Sequence, residues 1–400
     1  MTTTSPPFIP GEEILKKSVL PDMAMSLVSA DAKLGGKLAP ATKETICQHM
    51  AVINSYYSNL IEGNRTQPHE IRAAQRGEFS ADPSKRDLQM ESLAHIHVQN
   101  RIKGQSLEQD KVYAPEFFRM IHGEFYSQLP ESMREISNGK GNLKATVIPG
   151  EWRKQSVEVG RHIPPAYQDL ETLMNQFCDV YNPGNFQGDK KMIAVMSAHH
   201  RFAWIHPFLD GNGRVGRLFT DTALSVLGLN SVGVWCLSRG LARSADEYKN
   251  ALARADFDRQ GSHDGRGLLS ETNLVEFCEY MLRTALDQIE YISALLRLDK
   301  MQTRIKSYIQ ARNDDRVPGI SGKLNEVSAL ILYHAFINGE LERAMAYELC
   351  AMPDRSARRV IQQLKDDGLL TETSSRSPLR WAIPEHAEPW YFPELVPVVK

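Results

Sequence analysis

The sequence predicts a mainly α-helical fold. Between Thr42 and Glu62, apolar residues recur at steps of four and three, which is the pattern of one buried helical face. Similar patterning returns through most of the later chain, and one segment, residues 143–159, is patterned instead as a β-hairpin. We therefore expect a helical core that carries one hairpin, followed by a smaller helical module.

Turn-forming residues divide these elements. The first predicted helix ends at Gly63 and Asn64, since glycine and asparagine commonly close helices. Helical patterning then covers residues 87–102, 115–128, 167–181, 189–204, 215–227, 246–256 and 272–296. In the predicted hairpin, residues 146–148 and 156–159 flank a turn at Pro149 and Gly150.

The C-terminal part has its own pattern. The polar stretch NDDRVPGISGK, residues 313–323, indicates a linker. Helices are predicted at 326–336, 341–350 and 354–367, followed by a strand, a polar turn and a strand, and this order resembles a winged helix-turn-helix. We expect three regions: an N-terminal helical region at 1–110, a core at 111–312, and the linker with this module at 313–400.

Composition excludes several classes of protein. The 400 residues are 42% hydrophobic and 24% charged, with a formal net charge of −2, which fits an ordinary globular protein of two or three domains. No apolar run approaches the ~20 residues that span a bilayer, so no membrane partner is expected. Five scattered cysteines without paired spacing favour a reducing, cytoplasmic location.

The most informative segment is HPFLDGNGRVGR, from His206 to Arg217. Pro207 ends the preceding helix, and Gly211 and Gly213 allow a tight loop that opens directly onto the next helix. The amides at a helix N-terminus lack internal acceptors, and the helix dipole is positive there. The segment therefore predicts a binding site for an anion such as phosphate.

Four side chains of this segment suit phosphate chemistry. Arg214 and Arg217 share a face of the first helical turn, where an external anion would offset their unfavourable position. Asp210 beside the loop is the single carboxylate that a Mg²⁺ ion with mainly phosphate and water ligands needs. His206 is a candidate general base, because an imidazole with a pKa of ~6.5 can take a proton from a hydroxyl.

Other interpretations of the segment are weaker. The spacing Gly-x-Gly-x-x-Gly follows a helix and not a strand, against a dinucleotide-binding fold, and no Gly-Lys-Ser/Thr phosphate loop occurs. A zinc site from His199, His200, His206 and Asp210 would match no standard ligand spacing. A helix cap with surface charges would not require so many specified positions.

The segment resembles the complete active-site motif of the Fic family, His-Pro-Phe-x-Asp-Gly-Asn-Gly-Arg-x-x-Arg, at every defining position. The resemblance extends over roughly residues 10 to 295. It implies a Fic-type helical core with a β-hairpin flap, and transfer of AMP from Mg-ATP to a Ser, Thr or Tyr hydroxyl of a target protein. Glycine at position 213 distinguishes the motif from Doc-type kinases, which carry lysine there.

The resemblance also implies residue roles. His206 would be the catalytic base, and Asp210 would hold Mg²⁺. ATP would be bound by the loop and the first turn of its helix, which comprise Gly211, Asn212, Gly213, Arg214, Val215, Gly216 and Arg217. SNLIEGN resembles the family's inhibitory motif, so Glu62, which shares a helix face with Ser58, would pair with Arg217 in the place of the ATP γ-phosphate.

Partners follow from the same resemblance. The target would dock on the flap at 143–159 by strand pairing, and the chain would also modify itself. A homodimer is compatible with the sequence, as is DNA binding through residues 324–383, where Arg355, Arg358 and Arg359 line one helix. The alternatives are AMP removal or phosphotransfer by the same site, or a DNA-binding regulator whose Fic core senses ATP.

Overall fold

The computed structural model describes residues 9–137 and 143–395. Residues 1–8, 138–142 and 396–400, which fall within the three predicted regions, lie outside the described residues. Helices dominate the described chain, so the mainly α fold class is confirmed. The interpretation of the C-terminal elements as a winged helix-turn-helix stays a prediction.

Each predicted helix is present with boundaries that differ by a few residues, and the described residues form seven further helices that were not predicted. The N-terminal helices are α1 (Glu12–Leu15), α2 (Leu20–Gly35), α3 (Pro40–Ile61), α4 (Pro68–Gln75), α5 (Pro83–Lys103), α6 (Gln109–Val112) and α7 (Pro115–Ser127). The central helices are α8 (Leu170–Tyr181), α9 (Lys190–Ile205), α10 (Asn212–Val226), α11 (Leu237–Arg243), α12 (Ala245–Ala255) and α13 (Glu271–Leu295). The last are α14 (Leu298–Asn313), α15 (Ser328–Asn338), α16 (Arg343–Cys350), α17 (Asp354–Asp366) and α18 (Glu388–Tyr391).

The described strands are short. They are β1 (Glu135–Ser137), β2 (Leu143–Thr146), β3 (Glu340–Leu341), β4 (Leu370–Thr371) and β5 (Leu379–Trp381). β1 pairs with β2, and the other three form an antiparallel sheet in the order β3-β5-β4. Single-turn 3₁₀ helices lie at Glu131–Arg134, Tyr167–Asp169 and Pro183–Asn185.

An aromatic cluster holds α7, α8, α9 and α10 together. The ring of Phe118 lies 5.0 Å from that of Phe202, 4.7 Å from that of Phe219 and 5.6 Å from that of Phe177, between ring centroids. Each of these side chains is almost fully buried, and removing one such ring typically costs about 3–5 kcal/mol. The cluster therefore fixes α9 and α10, the two helices that flank the Gly-rich loop.

The hairpin predicted at residues 143–159 is wrong in its pairing. β2 pairs with β1, the strand that precedes it in the chain. Residues 156–159, the predicted second arm, form no strand. The chain after β2 is bound to the core instead: the Gly150 amide donates to Nδ1 of His122 at 2.9 Å, and the Trp152 ring lies 4.7 Å from the Phe208 ring. Because these contacts hold residues 150–152, the chain cannot return along β2.

A much tighter turn lies at the end of the predicted hairpin. Val159 and His162 exchange both of their backbone hydrogen bonds, each at 3.0 Å. Gly160 has a φ of 62°, the left-handed conformation that such two-residue turns require. The structure therefore places a small hairpin at 159–162, where sequence patterning predicted only the end of a longer one.

The chain divides into two compact units. The first extends to Asp31 and includes Asn54–Val232 and Cys236–Gln288, and the second comprises Ala32–Ile53, Gly233–Trp235 and the chain from Ile289 onward. The second unit contains α14 to α18, the three-stranded sheet, and a core in which Trp381 contacts Phe336 and Tyr391 at 5.1 and 5.5 Å between ring centroids. Whether the three predicted regions fold separately stays a prediction.

Within the described part of the chain, no helix combines the length and the apolar character needed to cross a bilayer.

Candidate active site

His206 lies where α9 ends. Its backbone has a left-handed φ of 51°, which is uncommon for a residue other than glycine, and the chain then turns at Pro207. Its Nδ1 lies 3.3 Å from the carbonyl oxygen of Ala203, which can only accept, so Nδ1 carries the proton and Nε2 carries the lone pair. Burial lowers the pKa of His206 to about 4, so the imidazole is neutral at pH 7.

Arg153 holds the strained turn at His206. Its Nε donates to the carbonyl of His206 at 2.8 Å, and its backbone amide donates to the carbonyl of Pro207 at 2.9 Å. Its remaining nitrogens donate to the carbonyls of Gln155 and Pro165 at 3.0 and 2.6 Å. Because the residue is only 3% exposed, these bonds are screened little by solvent. Sequence reasoning missed this residue.

The Gly-rich loop is closed by Asn212. Its side-chain oxygen accepts from the amide of Phe208, and its side-chain nitrogen donates to the carbonyl of the same residue, both at 2.9 Å. The Asn212 side chain is therefore committed to the loop, and its backbone amide is what remains for an anion. The amides of Asn212, Gly213 and Arg214 form the first turn of α10, where no carbonyl lies one turn earlier to accept from them.

Asp210 and Arg214 form a charged pair beside this loop. Oδ2 of Asp210 accepts from the hydroxyl of Tyr126 at 2.6 Å and from Nη2 of Arg214 at 3.2 Å. Arg214 also contacts Glu91 at 3.3 Å. Burial would raise the pKa of Asp210, but Arg214 and the Tyr126 hydroxyl outweigh this effect and lower the pKa, so the carboxylate is ionised.

Arg217 lies deeper, one turn along α10, and contacts α3. Its Nε donates to Oγ of Ser58 at 2.9 Å, and its Nη2 donates to the Ser58 carbonyl at 2.9 Å and to Oε1 of Glu62 at 2.6 Å. The Arg217 side chain is 2% exposed, whereas that of Glu62 is 37% exposed. The three predicted residues are therefore in direct contact, although 155 positions separate Glu62 from Arg217.

The Glu62 carboxylate lies over the first turn of α10. A methyl group added at Gly213 would lie 2.2 Å from Oε1 of Glu62, so only glycine leaves room for the carboxylate there. Burial would raise the pKa of Glu62, but the charges of Arg217 and Arg214 lower it, so the group is an anion at neutral pH. This carboxylate occupies the end of α10 at which the first-turn amides and Arg217 would attract an anion.

Several of these groups, including His206, Glu62 and Arg217, face one cleft in the first unit. Its volume is about 1330 Å³, above the roughly 300–1,000 Å³ typical of small-molecule sites. Side chains on its wall include Glu62, His162, His206, Arg217 and Tyr248. The small hairpin at 159–162 forms part of the same wall.

The zinc interpretation finds no support in the contacts of its residues. Nδ1 and Nε2 of His199 contact the hydroxyls of Thr220 and Tyr248, both at 2.7 Å, and Nε2 of His200 contacts Asp256 at 3.0 Å. Among the described residues, no group of three or more His, Cys, Asp or Glu side chains is arranged to hold a metal ion.

The arrangement combines a neutral imidazole, a helix N-terminus and a buried arginine at one cleft. Such a site can bind a phosphate ester and remove a proton from an attacking hydroxyl. These capacities fit a helical domain of the class that transfers nucleotides or phosphate groups.

Comparison with known proteins agrees with this class. Residues 114–224 match the model of the Fic/DOC family. Residues 114–224 are therefore similar to a Fic domain, and the predicted resemblance to this family is confirmed. The matched segment runs from the start of α7 through the loop to α10, and so includes every predicted site residue except Ser58 and Glu62.

Among curated proteins, the chain is similar to "Protein adenylyltransferase Fic" of Drosophila willistoni. The two are 28% identical over 206 residues, which is 51% of this chain and 36% of the relative. The protein of the same name in Drosophila melanogaster is also 28% identical, over 51% of this chain and 37% of the relative. The chain thus matches less than two fifths of the length of these relatives.

Solved structures share the fold. A Fic family protein from Desulfovibrio desulfuricans has a TM-score of 0.52 at 16% identity, over 90% of this chain and 96% of that one. Fic-1 from C. elegans has a TM-score of 0.52 at 14% identity, over 70% of this chain and 74% of that one. At these identities the similarity supports a Fic-type helical fold.

Proposed function

We propose that this chain transfers AMP from ATP to a Ser, Thr or Tyr hydroxyl of a target protein. The observation that carries the proposal is the neutral His206, whose Nε2 lone pair lies at the same cleft as the first turn of α10. The curated relatives are named protein adenylyltransferases, which supports this reaction over other phosphate chemistry.

In the proposed reaction, Nε2 of His206 accepts the proton of the target hydroxyl while the hydroxyl oxygen attacks the α-phosphorus. A new phosphorus–oxygen bond forms, the bond to the bridging oxygen breaks, and pyrophosphate leaves. The first-turn amides of α10 bind the phosphate oxygens, and Arg217 binds the end of the triphosphate. Positioning and charge neutralisation supply most of the rate, because the nucleotide carries its own leaving group.

Asp210 is the residue proposed to hold Mg²⁺. Its ionised carboxylate lies beside the loop and its side chain is 53% exposed, which fits an ion that takes one protein carboxylate and completes its shell with phosphate and water. When bound, Mg²⁺ would neutralise charge on the phosphates. Arg214, 3.2 Å from Asp210, favours the ionised form of that carboxylate.

Glu62 is proposed as a built-in inhibitor. Its carboxylate pairs with Arg217 and lies on Gly213, at the end of α10 where the last phosphate would be bound. ATP can place its γ-phosphate on Arg217 only after Glu62 leaves, and without that contact the α-phosphorus is held less well for in-line attack.

The target is proposed to dock beside the small hairpin at 159–162. This hairpin lines the cleft, and the residues before it, 156–158, belong to no strand of the described structure. An extended target segment could pair with such a backbone edge, with weak sequence specificity.

Self-modification is a case of the same reaction. A homodimer stays a prediction, and a cytoplasmic location is proposed from the five scattered cysteines, which show no paired spacing.

Two labelled forms of ATP test the proposed reaction. With ATP labelled at the α-phosphate, protein should become labelled, and with ATP labelled at the γ-phosphate it should not. His206→Ala should abolish labelling while leaving nucleotide affinity within about twofold, because the imidazole is needed for proton removal and not for phosphate binding. Label from the γ-phosphate would indicate phosphotransfer, and release of AMP from a pre-labelled target as the faster reaction would indicate AMP removal.

A second function is proposed for residues 324–383, as a winged helix-turn-helix that binds duplex DNA. A groove of about 720 Å³ runs along α16 and α17, and it is lined by more cations than anions. Arg355, Arg358 and Arg359 are exposed on α17 and suit phosphate contacts. Arg343 and Lys365, by contrast, both pair with Glu372.

Fluorescence anisotropy with a duplex of about 20 base pairs tests this second function. Affinity should fall steeply with salt, and Arg358→Glu should weaken binding about tenfold or more. Lys306→Glu, on the exposed face of α14, is the matched control and should have a small effect. Equal losses of DNA affinity in the two variants, or a DNA affinity that does not change with salt, would refute the proposal.

A further inference from the structure

The small hairpin at 159–162 turns one side chain towards the core. Every residue from Glu158 to Ile163 is exposed except His162, whose side chain is 13% exposed. The apolar side chains of Val159 and Ile163 bury little surface, since these residues are 41% and 76% exposed. A two-stranded hairpin is at best marginally stable in water by itself. Within the hairpin, attachment to the core therefore depends on His162.

His162 binds the end of α9. Its Nε2 lies 2.7 Å from the carbonyl oxygen of Trp204, which can only accept, so Nε2 carries the proton and donates it. Trp204 lies in the last turn of α9, where the carbonyls lack the helical amides that would otherwise bind them. On the other side of the ring, Nδ1 is 4.0 Å from Oδ2 of Asp256, which is too long for a hydrogen bond. The bond to Trp204 is therefore the contact that directs the imidazole.

The same helix end carries the proposed base. His206 follows Trp204 by two positions, and its Nδ1 lies 3.3 Å from the carbonyl oxygen of Ala203. Two consecutive carbonyl groups of α9 thus contact the two imidazoles, that of Ala203 the base and that of Trp204 the hairpin. Any movement of the hairpin away from α9 changes its distance from His206.

We propose that His162 is a positioning residue, which holds the hairpin on the last turn of α9 and so sets the place of a docked target segment relative to His206. This inference rests on the proposed function, in which the target docks beside this hairpin. A segment paired with the hairpin backbone takes its position from that backbone, and a displacement of about 1 Å at a reacting group can cost ~100-fold in rate. His162 acts through the hairpin and takes no part in proton transfer.

Hydrogen exchange followed by mass spectrometry tests the attachment without any turnover. His162→Phe keeps a ring beside Trp204 and removes the donor to its carbonyl. The backbone amides of residues 157–162 should then exchange about tenfold faster, the effect of losing one hydrogen bond, while those of residues 192–200 in α9 stay unchanged. His162→Gln should restore most of the protection, because its side-chain amide can donate to the same carbonyl.

Self-labelling with α-labelled ATP tests the consequence for the target segment. The parent is Glu62→Gly at saturating Mg-ATP, so that weaker nucleotide binding cannot lower the rate. Adding His162→Phe should slow labelling about tenfold or more, and adding His162→Gln should slow it only about threefold. His97→Phe is the matched control, because it removes an exposed imidazole whose Nε2 contacts Glu124 on α7 at 3.0 Å; exchange and labelling should both stay unchanged.

Three outcomes would overturn the inference. Unchanged exchange at residues 157–162 in His162→Phe would mean that the hairpin is attached by other contacts, and unchanged labelling despite faster exchange would separate the hairpin from the target. Equal losses in His162→Phe and His162→Gln would assign the residue to packing. If His162→Phe does not fold, as judged by circular dichroism, His162→Ala takes its place with the same expected results. Absence of label in Glu62→Gly itself would refute the proposed reaction, and the exchange experiment would still decide whether His162 holds the hairpin.

Discussion

Replacing Glu62 with glycine is the most direct perturbation of the site. It removes the carboxylate that pairs with Arg217 at 2.6 Å and that lies on Gly213. Glu62 follows the last residue of α3, Ile61, so glycine at this position does not interrupt the helix. The change should therefore expose Arg217 and the first turn of α10 without disturbing the helix.

The cost to stability follows from the burial of the two partners. Losing one partner of a fully buried ion pair costs about 3–5 kcal/mol. Here Arg217 is 2% exposed but Glu62 is 37% exposed, and Ser58 still accepts two hydrogen bonds from the arginine, so we expect a loss of about 1–2 kcal/mol without nucleotide. Saturating Mg-ATP should recover this loss by binding to the folded state.

The gain in activity should be large. With the γ-phosphate held by Arg217, the α-phosphorus is aligned for attack, and a misplacement of about 1 Å at such a site can cost ~100-fold in rate. We therefore expect Glu62→Gly to label itself about 100-fold faster than the wild type with α-labelled ATP. Differential scanning fluorimetry with and without Mg-ATP measures the accompanying change in stability.

Two variants control this experiment. Glu62→Gln keeps the side-chain length and should be activated less than Glu62→Gly. Glu78→Gly removes an exposed carboxylate that pairs with the exposed Arg76, and it should have no effect on labelling. Equal labelling rates for the wild type and Glu62→Gly would refute autoinhibition by this residue. Activation that persists after His206→Ala is added would refute the assignment of the base.

Four further predictions concern the same site. Because the pKa of His206 is lowered to about 4, kcat/KM of Glu62→Gly should be flat between pH 6 and 8 and fall only as the pH approaches 4; a fall centred near 6.5 would contradict burial of the imidazole. Because the pKa of Glu62 is itself lowered below its usual 4.5, its pairing is lost only under acid conditions, and the wild type should stay inactive from pH 5 to 8. Arg153→Lys should lower kcat about tenfold or more with unchanged ATP affinity, because lysine cannot replace all three of the side-chain hydrogen bonds of Arg153. Asp210→Asn should lower turnover at limiting Mg²⁺. An unchanged kcat in either variant would refute the role proposed for that residue.

Local pattern predicted much of the helical structure. The steps of four and three between residues 42 and 62 correspond to α3, which runs from Pro40 to Ile61, and the predicted helix at 354–367 corresponds to α17. Such agreement is expected, since a helix is specified by neighbours three and four positions apart. The pattern did not single out α2 or α14, although both bury apolar side chains.

The Gly-rich loop could also be predicted from the sequence, because the side chains and glycines that define it lie within twelve consecutive residues. His206, Asp210, Arg214 and the first turn of α10 are brought together by one helix end, one loop and one helix start. The local backbone conformation therefore fixes the relative positions of the residues in such a motif. The β-hairpin was predicted with the wrong partner strand, because an extended segment has no local signal for the strand it joins, and contacts of residues 150–152 with the core decided the pairing.

The amino-acid sequence by itself thus determined the helical class, the Gly-rich loop at a helix start and, through resemblance, the pairing of Glu62 with Arg217. Tertiary structure alone decided that Arg153 holds the turn at His206, 53 positions away, and that His199 contacts Tyr248, 49 positions away. The physical reason is that a side-chain hydrogen bond depends on which surfaces the whole chain brings within about 3 Å, and spacing along the sequence carries no information about contacts at that separation.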